Sequence, residues 1–257
     1  MIRISSLVSR EKKNHVSRIT AFQMPASIAI IIPTLNEERA LPRTLLYLRQ
    51  QQFNEVIVVD GGSQDHTVSV ATNHLSGLSQ RKSKVIIADR GRAQQLNAGA
   101  AEAQSDILLF LHADTQLPLH SRTEIERVME NSQCVGGRFD VQFEDDRGWA
   151  WIISRMMNLR SRWSGIATGD QAIFVRREIF QQMGGYADIP LMEDVEFTKR
   201  LKHFGKVATL HTKVTTSFRR WEQRGALQTI LHMWTLRFLY WLGLSPQTLR
   251  QLYATIR

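Results

Sequence analysis

The segment Ser27-Ile-Ala-Ile-Ile-Ile-Pro33-Thr-Leu-Asn-Glu37 decides the fold class. Its first seven residues are short, uninterrupted and largely β-branched, the composition of a strand buried on both faces of a parallel sheet. A helix is predicted next. Thr34 or Asn36 offers an N-cap, Glu37 and Glu38 suit the positive end of a helix, and Leu41, Leu45 and Leu48 recur at helical spacing. The same grammar returns in a strand Glu55–Asp60, a turn Gly61–Asp65 and a helix Thr67–Leu75. It returns again in a strand Lys84–Asp89 with a helix Arg92–Ala103, and in a strand Asp106–His112 with a helix Leu119–Asn131. Four βα units in succession predict a doubly wound, mostly parallel α/β fold, with ligands at the carboxyl ends of the strands.

Beyond residue 132 the pattern changes. Val135–Phe143 alternates like a strand, Trp149–Trp163 reads as a Trp/Met/Arg-rich helix, and Thr168-Gly-Asp-Gln171 is a turn leading into a strand Ala172–Val175. Met192-Glu-Asp-Val-Glu-Phe197 opens a helix that runs to His203. In 257 residues this amounts to one core with an appendage, against a prior of roughly 150 residues per domain. We expect a basic, disordered extension over residues 1–25, an α/β domain over 26–220 and a basic, aromatic helical appendage over 221–257; Met24 offers an alternative start.

Hydrophobic residues at 43% and charged residues at 22% exclude collagen-like, disordered and disulfide-scaffold classes for the whole. Cys134 is the sole cysteine, which excludes an internal disulfide and a multi-thiolate zinc site and makes the cytoplasm the default location. The net charge of +9 divides into +4 over residues 1–23, −5 over 24–198 and +10 over 199–257. On charge alone the C-terminal block, with Trp221, Trp234, Tyr240 and Trp241, suits pyrophosphate, an anionic lipid surface or nucleic acid. The acidic core argues against nucleic acid. Ala226–Leu244 contains Gln228, His232 and Arg237 and is not expected to cross a bilayer. Its stripe of Leu227, Ile230, Leu231, Trp234, Phe238, Trp241 and Leu242 is expected to pack on the domain, with Met233, Leu236 and Tyr240 on the flanks; contact with the inner face of the cell membrane is the second expectation.

Phosphate-loop and dinucleotide fingerprints are missing. What recurs instead is carboxylate at strand ends: Asp60, Asp89 and Asp114. A carboxylate such as Asp60 can accept hydrogen bonds from a base or ribose, and Asp114 can hold a hard divalent cation completed by substrate phosphates and water. Together they point to a nucleoside diphosphate with a metal. The bland alternatives are that Asp60 caps its Gly-rich turn and Asp114 caps the following helix through Thr115.

Ile30-Ile-Ile-Pro-Thr-Leu-Asn-Glu37, Asp60-Gly-Gly-Ser-Gln-Asp-His-Thr67, His112-Ala-Asp114, Gly136-Gly-Arg-Phe139, Thr168-Gly-Asp-Gln171 and Met192-Glu-Asp194 resemble, in order, the motifs of a family-2 glycosyltransferase of the GT-A fold. The resemblance covers roughly residues 26–205. It implies transfer of a hexosyl group from a nucleotide-diphosphate sugar, with a lean to UDP, assisted by Mg²⁺ or Mn²⁺ and usually inverting. By position Pro33, Leu35, Glu37 and Asp60 would line the nucleoside pocket, Arg92 would approach the diphosphate, Asp114 would bind the metal and Asp194 would be the general base. Asp170, Gln171, Glu193, Arg219 and Arg220 would serve the acceptor or the leaving group. His112 stands where many members carry the first aspartate of D-x-D. Ser217-Phe-Arg-Arg-Trp221 keeps only the Arg-Trp of the processive-synthase motif Q-x-x-R-W, so addition of one sugar to a small or lipid acceptor is expected. Thr216-Ser-Phe-Arg-Arg220 and the compact length are similar to a bacterial subgroup of arsenosugar-biosynthesis type. A non-catalytic binding or membrane-docking module is the alternative from another class. A nucleotidyltransferase is disfavoured because no Gly-rich basic loop follows Pro33.

Overall fold

The structure is a computed structural model that describes residues 26–77, 82–219 and 225–255. The proposed extension over residues 1–25, and Arg220, Trp221 and Arg224, lie outside the described residues. The first half is built as the sequence predicts: β1 (Ile28–Thr34), α1 (Leu41–Arg49), β2 (Glu55–Asp60), α2 (Thr67–Ser76), β3 (Lys82–Ile87), α3 (Arg92–Glu102) and β4 (Ile107–Phe110). A two-residue strand β5 (Thr115–Gln116) precedes α4 (Ser121–Met129), β6 (Cys134–Phe143) and α5 (Gly148–Ser164). A 3-10 turn at Gly169–Gln171 leads to β7 (Ile173–Arg176), α6 (Arg177–Gln182), α7 (Glu193–Leu201) and β8 (Lys206–Thr216). Two helices follow, α8 (Ala226–Trp241) and α9 (Pro246–Thr255).

The strands form one sheet in the order β3-β2-β1-β4-β7-β6-β8-β5. β1 pairs in parallel with both β2 and β4, and β2 with β3, so the four βα units lie as expected. The other half corrects the expectation of a mostly parallel sheet. β7 is antiparallel to β4 and β6, β5 is antiparallel to β8, and only β6 and β8 run parallel there. The sheet is mixed because β7 enters between β4 and β6 antiparallel to both.

Alternate residues of β1 enter opposite layers, which is why its apolar run is unbroken. Ile28, Ile30 and Ile32 meet Leu41, Leu45 and Leu48 of α1, Leu75 of α2 and Ile125 of α4. Ala29 and Ile31 meet Leu96 and Ala100 of α3, Phe180 of α6 and Phe197 of α7. Each of these fully buried isoleucines contributes about 1.5–3 kcal/mol of burial. Helix α3 rides close to the sheet at Gly99, where a Cβ would come within 2.5 Å of Ile31 Cγ2.

Helix α8 reverses the predicted stripe. Leu236 is buried against Met192 and Leu249, joined by Met233 and Tyr240, so the expected flank is the packed face. Leu231, Trp234, Phe238 and Trp241 are exposed, Trp241 by 78%. The narrow face wins because it is the one that meets the start of α7; Ile230 alone of the described stripe residues packs inward, on Phe143 and Ile153. Among the described residues no helix is long and apolar enough to cross a membrane.

Candidate active site

The loops at the carboxyl ends of β1 and β2 are laced to one another. Asn36, at φ 56°, donates its N–H to Ser63 Oγ and accepts from the Gln64 N–H. Glu37 N–H donates to Thr67 Oγ1, and Glu38 N–H to Asp65 Oδ2. These bonds consume the residues expected to cap α1, which starts at Leu41 behind Ala40 with no side-chain cap. Asp60 is 1% exposed. Its Oδ2 accepts the N–H groups of Gly62 and Ser63 at 2.9 and 2.8 Å, and its Oδ1 accepts the Thr34 hydroxyl. Gln95, which the sequence does not single out, donates to the carbonyls of Thr34 and Val59 at 2.8 Å each and clamps the ends of β1 and β2 together.

Above these loops lies a cleft of about 1770 Å³. Pro33, Leu35, Glu37, Arg92, Asp114, Asp170 and Arg219 line it, as does His112. Asp60, Gln171, Glu193 and Asp194 are not among the residues that line it, and Arg220 lies outside the described residues. Gln171 is fully buried in a capping box with Thr168 and donates to the Phe139 carbonyl, so it builds the turn rather than facing the cleft.

Three motifs that are far apart in the chain meet at Gly169. His112 Nδ1 lies 3.1 Å from Asp170 Oδ1. Gly169 N–H donates to Asp194 Oδ2 at 2.8 Å, and a Cβ on Gly169 would come within 2.3 Å of His112 Nε2. Any side chain there would have to displace the imidazole. Asp194 Oδ1 accepts the Val195 N–H at 2.7 Å. α7 begins at Glu193 behind Met192, whose φ of 68° is left-handed, so Asp194 is not the N-cap residue. Nor does Asp114 cap a helix: α4 starts at Ser121 behind His120. Glu196 pairs with Arg200 along α7.

The electrostatics divide the cleft into two ends. Burial, then the neighbouring Asp114 carboxylate, push Glu37 up; Arg219, whose Nη2 lies 3.5 Å from Glu37 Oε2, and His112 oppose them. At the other end Arg92 Nη1 lies 3.2 Å from Glu193 Oε1. Burial pulls Arg92 down, but Glu193, Asp194 and Asp170 outweigh it and hold the guanidinium above its ordinary value. Burial and Asp194 push Glu193 up against the pull of Arg92. A carboxyl held up in this way favours the folded chain while protonated and loses that advantage as pH climbs above its ordinary 4.5. The melting temperature of Glu37→Gln should therefore match that of the parent below pH 4.5 and exceed it increasingly above; parallel curves across pH 4–7 would remove the burial and repulsion argued for Glu37.

Among the described residues no three His, Cys, Asp or Glu side chains converge as a metal cage. Glu37 and Asp114, two carboxylates held in each other's field, nevertheless fit a hard cation of the kind bound through one or two carboxylates plus phosphate oxygens and water.

Residues 29–184 match the family model described as Glycosyl transferase family 2. The chain belongs to glycosyl transferase family 2. It is 27% identical over 221 residues to "Probable glycosyltransferase YdaM" of Bacillus subtilis (strain 168), covering 76% of this chain and 50% of that protein. It is 32% identical over 167 residues to a PGL/p-HBAD biosynthesis glycosyltransferase of Mycobacterium bovis, covering 62% of each. This family-2 chain thus spans between half and 62% of the length of these relatives. Its fold is similar to that of the mannosyltransferase PcManGT from Pyrobaculum calidifontis in complex with GDP-Man and Mn²⁺, with a TM-score of 0.64 at 19% identity over 84% of this chain and 61% of that one. It is also similar to S. aureus TarS in complex with UDP, with a TM-score of 0.62 at 18% identity over 74% of this chain and 60% of the other. The fold is GT-A-like.

Proposed function

We propose that this family-2 chain transfers one sugar from a nucleotide-diphosphate donor, UDP-linked by preference, to a small or lipid acceptor with inversion. The observation that carries this reading is the meeting of His112-Ala-Asp114, Thr168-Gly-Asp-Gln171 and Met192-Glu-Asp194 beside a cleft that Pro33, Leu35 and Glu37 also line. Pro33 and Leu35 offer apolar surface to a base, with Asp60 fixing the loop beneath them. Asp114, with Glu37 beside it, would hold Mg²⁺ or Mn²⁺; when bound, such a cation neutralises charge growing on the leaving diphosphate. PcManGT with Mn²⁺ supports that assignment by fold alone. Arg92 and Arg219, which both line the cleft, add positive charge. Asp194 takes the acceptor proton from behind Gly169, and Asp170, held by His112, lines the acceptor side.

Cytoplasmic placement with the exposed aromatics of α8 against the inner membrane face belongs to the same reading, as does an appendage that begins after residue 220. The narrower resemblance to the arsenosugar-type subgroup rests on Thr216-Ser-Phe-Arg-Arg220, and none of the relatives named above supports it. The decisive experiment incubates purified protein with a panel of nucleotide sugars and Mn²⁺ or Mg²⁺ and measures nucleoside diphosphate release. Release that rises when an acceptor is added is the expected result; nucleotide binding without release across the panel would make the chain a binding module.

A further inference from the structure

Two residues before Gly169, Ala167 forms part of the wall of a smaller cavity, of about 30 Å³, apart from the cleft. Arg138 of β6 and Ser161 of α5 line it too, with Leu201 of α7 and Val207 of β8 as apolar surface. Arg138 is 3% exposed and Ser161 1%. Nη1 of Arg138 donates to the Phe139 carbonyl at 3.2 Å and to Asp140 Oδ1 at 2.7 Å. Its Nη2 and the Ser161 hydroxyl are buried without a hydrogen-bond partner among the described residues. Nearly every buried donor of a folded chain is met, by the chain itself, by water or by an ion. Two unmet groups on one cavity point to a ligand between them.

Charge and size say what it is. The carboxylate that Arg138 uses, Asp140, is fully buried, and Arg162 of α5 donates to its other oxygen, so one negative charge serves two guanidinium groups. His211 Nδ1 lies 3.8 Å from the same carboxylate. Burial pulls Arg138 down; Asp140 opposes this and Arg162 adds to it. Arg160, next to Ser161 in the chain, feels Arg138 as a repelling neighbour. No carboxylate lines the cavity among the described residues. A water would meet the two donors and leave the surplus of positive charge, whereas a monovalent anion answers both. One water requires roughly 10–15 Å³ of such space. A cavity of about 30 Å³ suits one small ion better than a tetrahedral oxyanion with its four oxygens.

We propose that Arg138 and Ser161 bind a chloride ion in this cavity, and that the ion braces β6, α5 and α7 against one another. The site stands independently of the glycosyl-transfer reading, yet it adjoins the segments that carry Gly169 and Asp194. Thr198, also in its wall, accepts the Ala167 N–H at 3.3 Å and donates its hydroxyl to the Asp194 carbonyl at 2.8 Å.

The test follows thermal unfolding of the full chain as chloride replaces gluconate at constant ionic strength. Once chloride exceeds its dissociation constant, each further tenfold should raise the melting temperature by roughly 3–5 °C. Ser161→Ala should need roughly 2- to 10-fold more chloride for the same rise, and Arg138→Met should show no rise. Because Arg138→Met takes one of the two guanidinium partners from Asp140 and can fail to fold, a second measurement uses the parent alone: crystals grown with bromide in place of chloride should give an anomalous peak in the cavity, within contact of Arg138 Nη2 and Ser161 Oγ. Parent curves that coincide in chloride and gluconate, a rise that survives in a folded Arg138→Met, or a cavity without anomalous signal would each overturn the ion and leave water as the partner of these groups.

Discussion

Asp194→Asn should bind nucleotide as the parent does and turn over ~10²- to 10⁴-fold more slowly, the usual cost of losing a general base. The carboxylate lies behind Gly169, one oxygen taking the Gly169 N–H and the other the Val195 N–H. Each oxygen keeps a further lone pair for an acceptor proton. Asparagine can serve only one of those backbone donors, so the variant should also melt lower, by the roughly 1–3 kcal/mol of one unmet bond. Stability must therefore be measured beside turnover. A pH–rate profile separates the two effects: loss of basicity removes the acid limb, whereas loosening of the turn rescales the profile without changing its shape. Turnover near normal would pass the base role to Asp170, a carboxylate that lines the cleft near Gly169, since Glu193 is buried and held by Arg92.

Asp114→Ala should lose cation-dependent nucleotide binding. The parent is expected to bind nucleoside diphosphate more weakly in chelator, by at least the ~10- to 100-fold that even outer-shell changes cost a metal site, and the variant should not distinguish chelator from Mn²⁺. Without ligand the same variant should melt higher, because the repulsion that pushes Glu37 up is gone. A parent whose titrations agree with and without chelator would remove the metal from this site.

Local pattern made much of this legible. Strands β1, β2 and β4 are uniform apolar runs because both faces are covered, and each ends where the polar motif begins. Strand β8, eleven residues long, escaped the reading. It pairs with β6 through two register shifts, at Cys134/Gly136 and Phe139/Asp140, and such bulges erase the two-residue period that marks a strand. The site divides along the same line. Its motifs are contiguous in sequence, whereas the reach of Gln95 to β1 and β2 and the His112–Asp170 contact arise only when distant segments are brought together. Helix α8 misled for a related reason: its widest apolar stripe is mostly exposed, and the narrower face, around Leu236, meets the rest of the chain.

Met192 holds left-handed backbone with a full side chain, a conformation that costs about 1–3 kcal/mol unless surroundings enforce it. Leu236 and Leu249 supply that enforcement from beyond residue 184, where the family match ends. Met192 and the two last helices therefore form one packing unit. A chimera that exchanges residues 225–255 for those of a cousin keeps every motif named above, yet it takes away the clamp on Met192. Changes at 192 and in the two last helices are therefore coupled, and a library that varies one without the other breaks that packing.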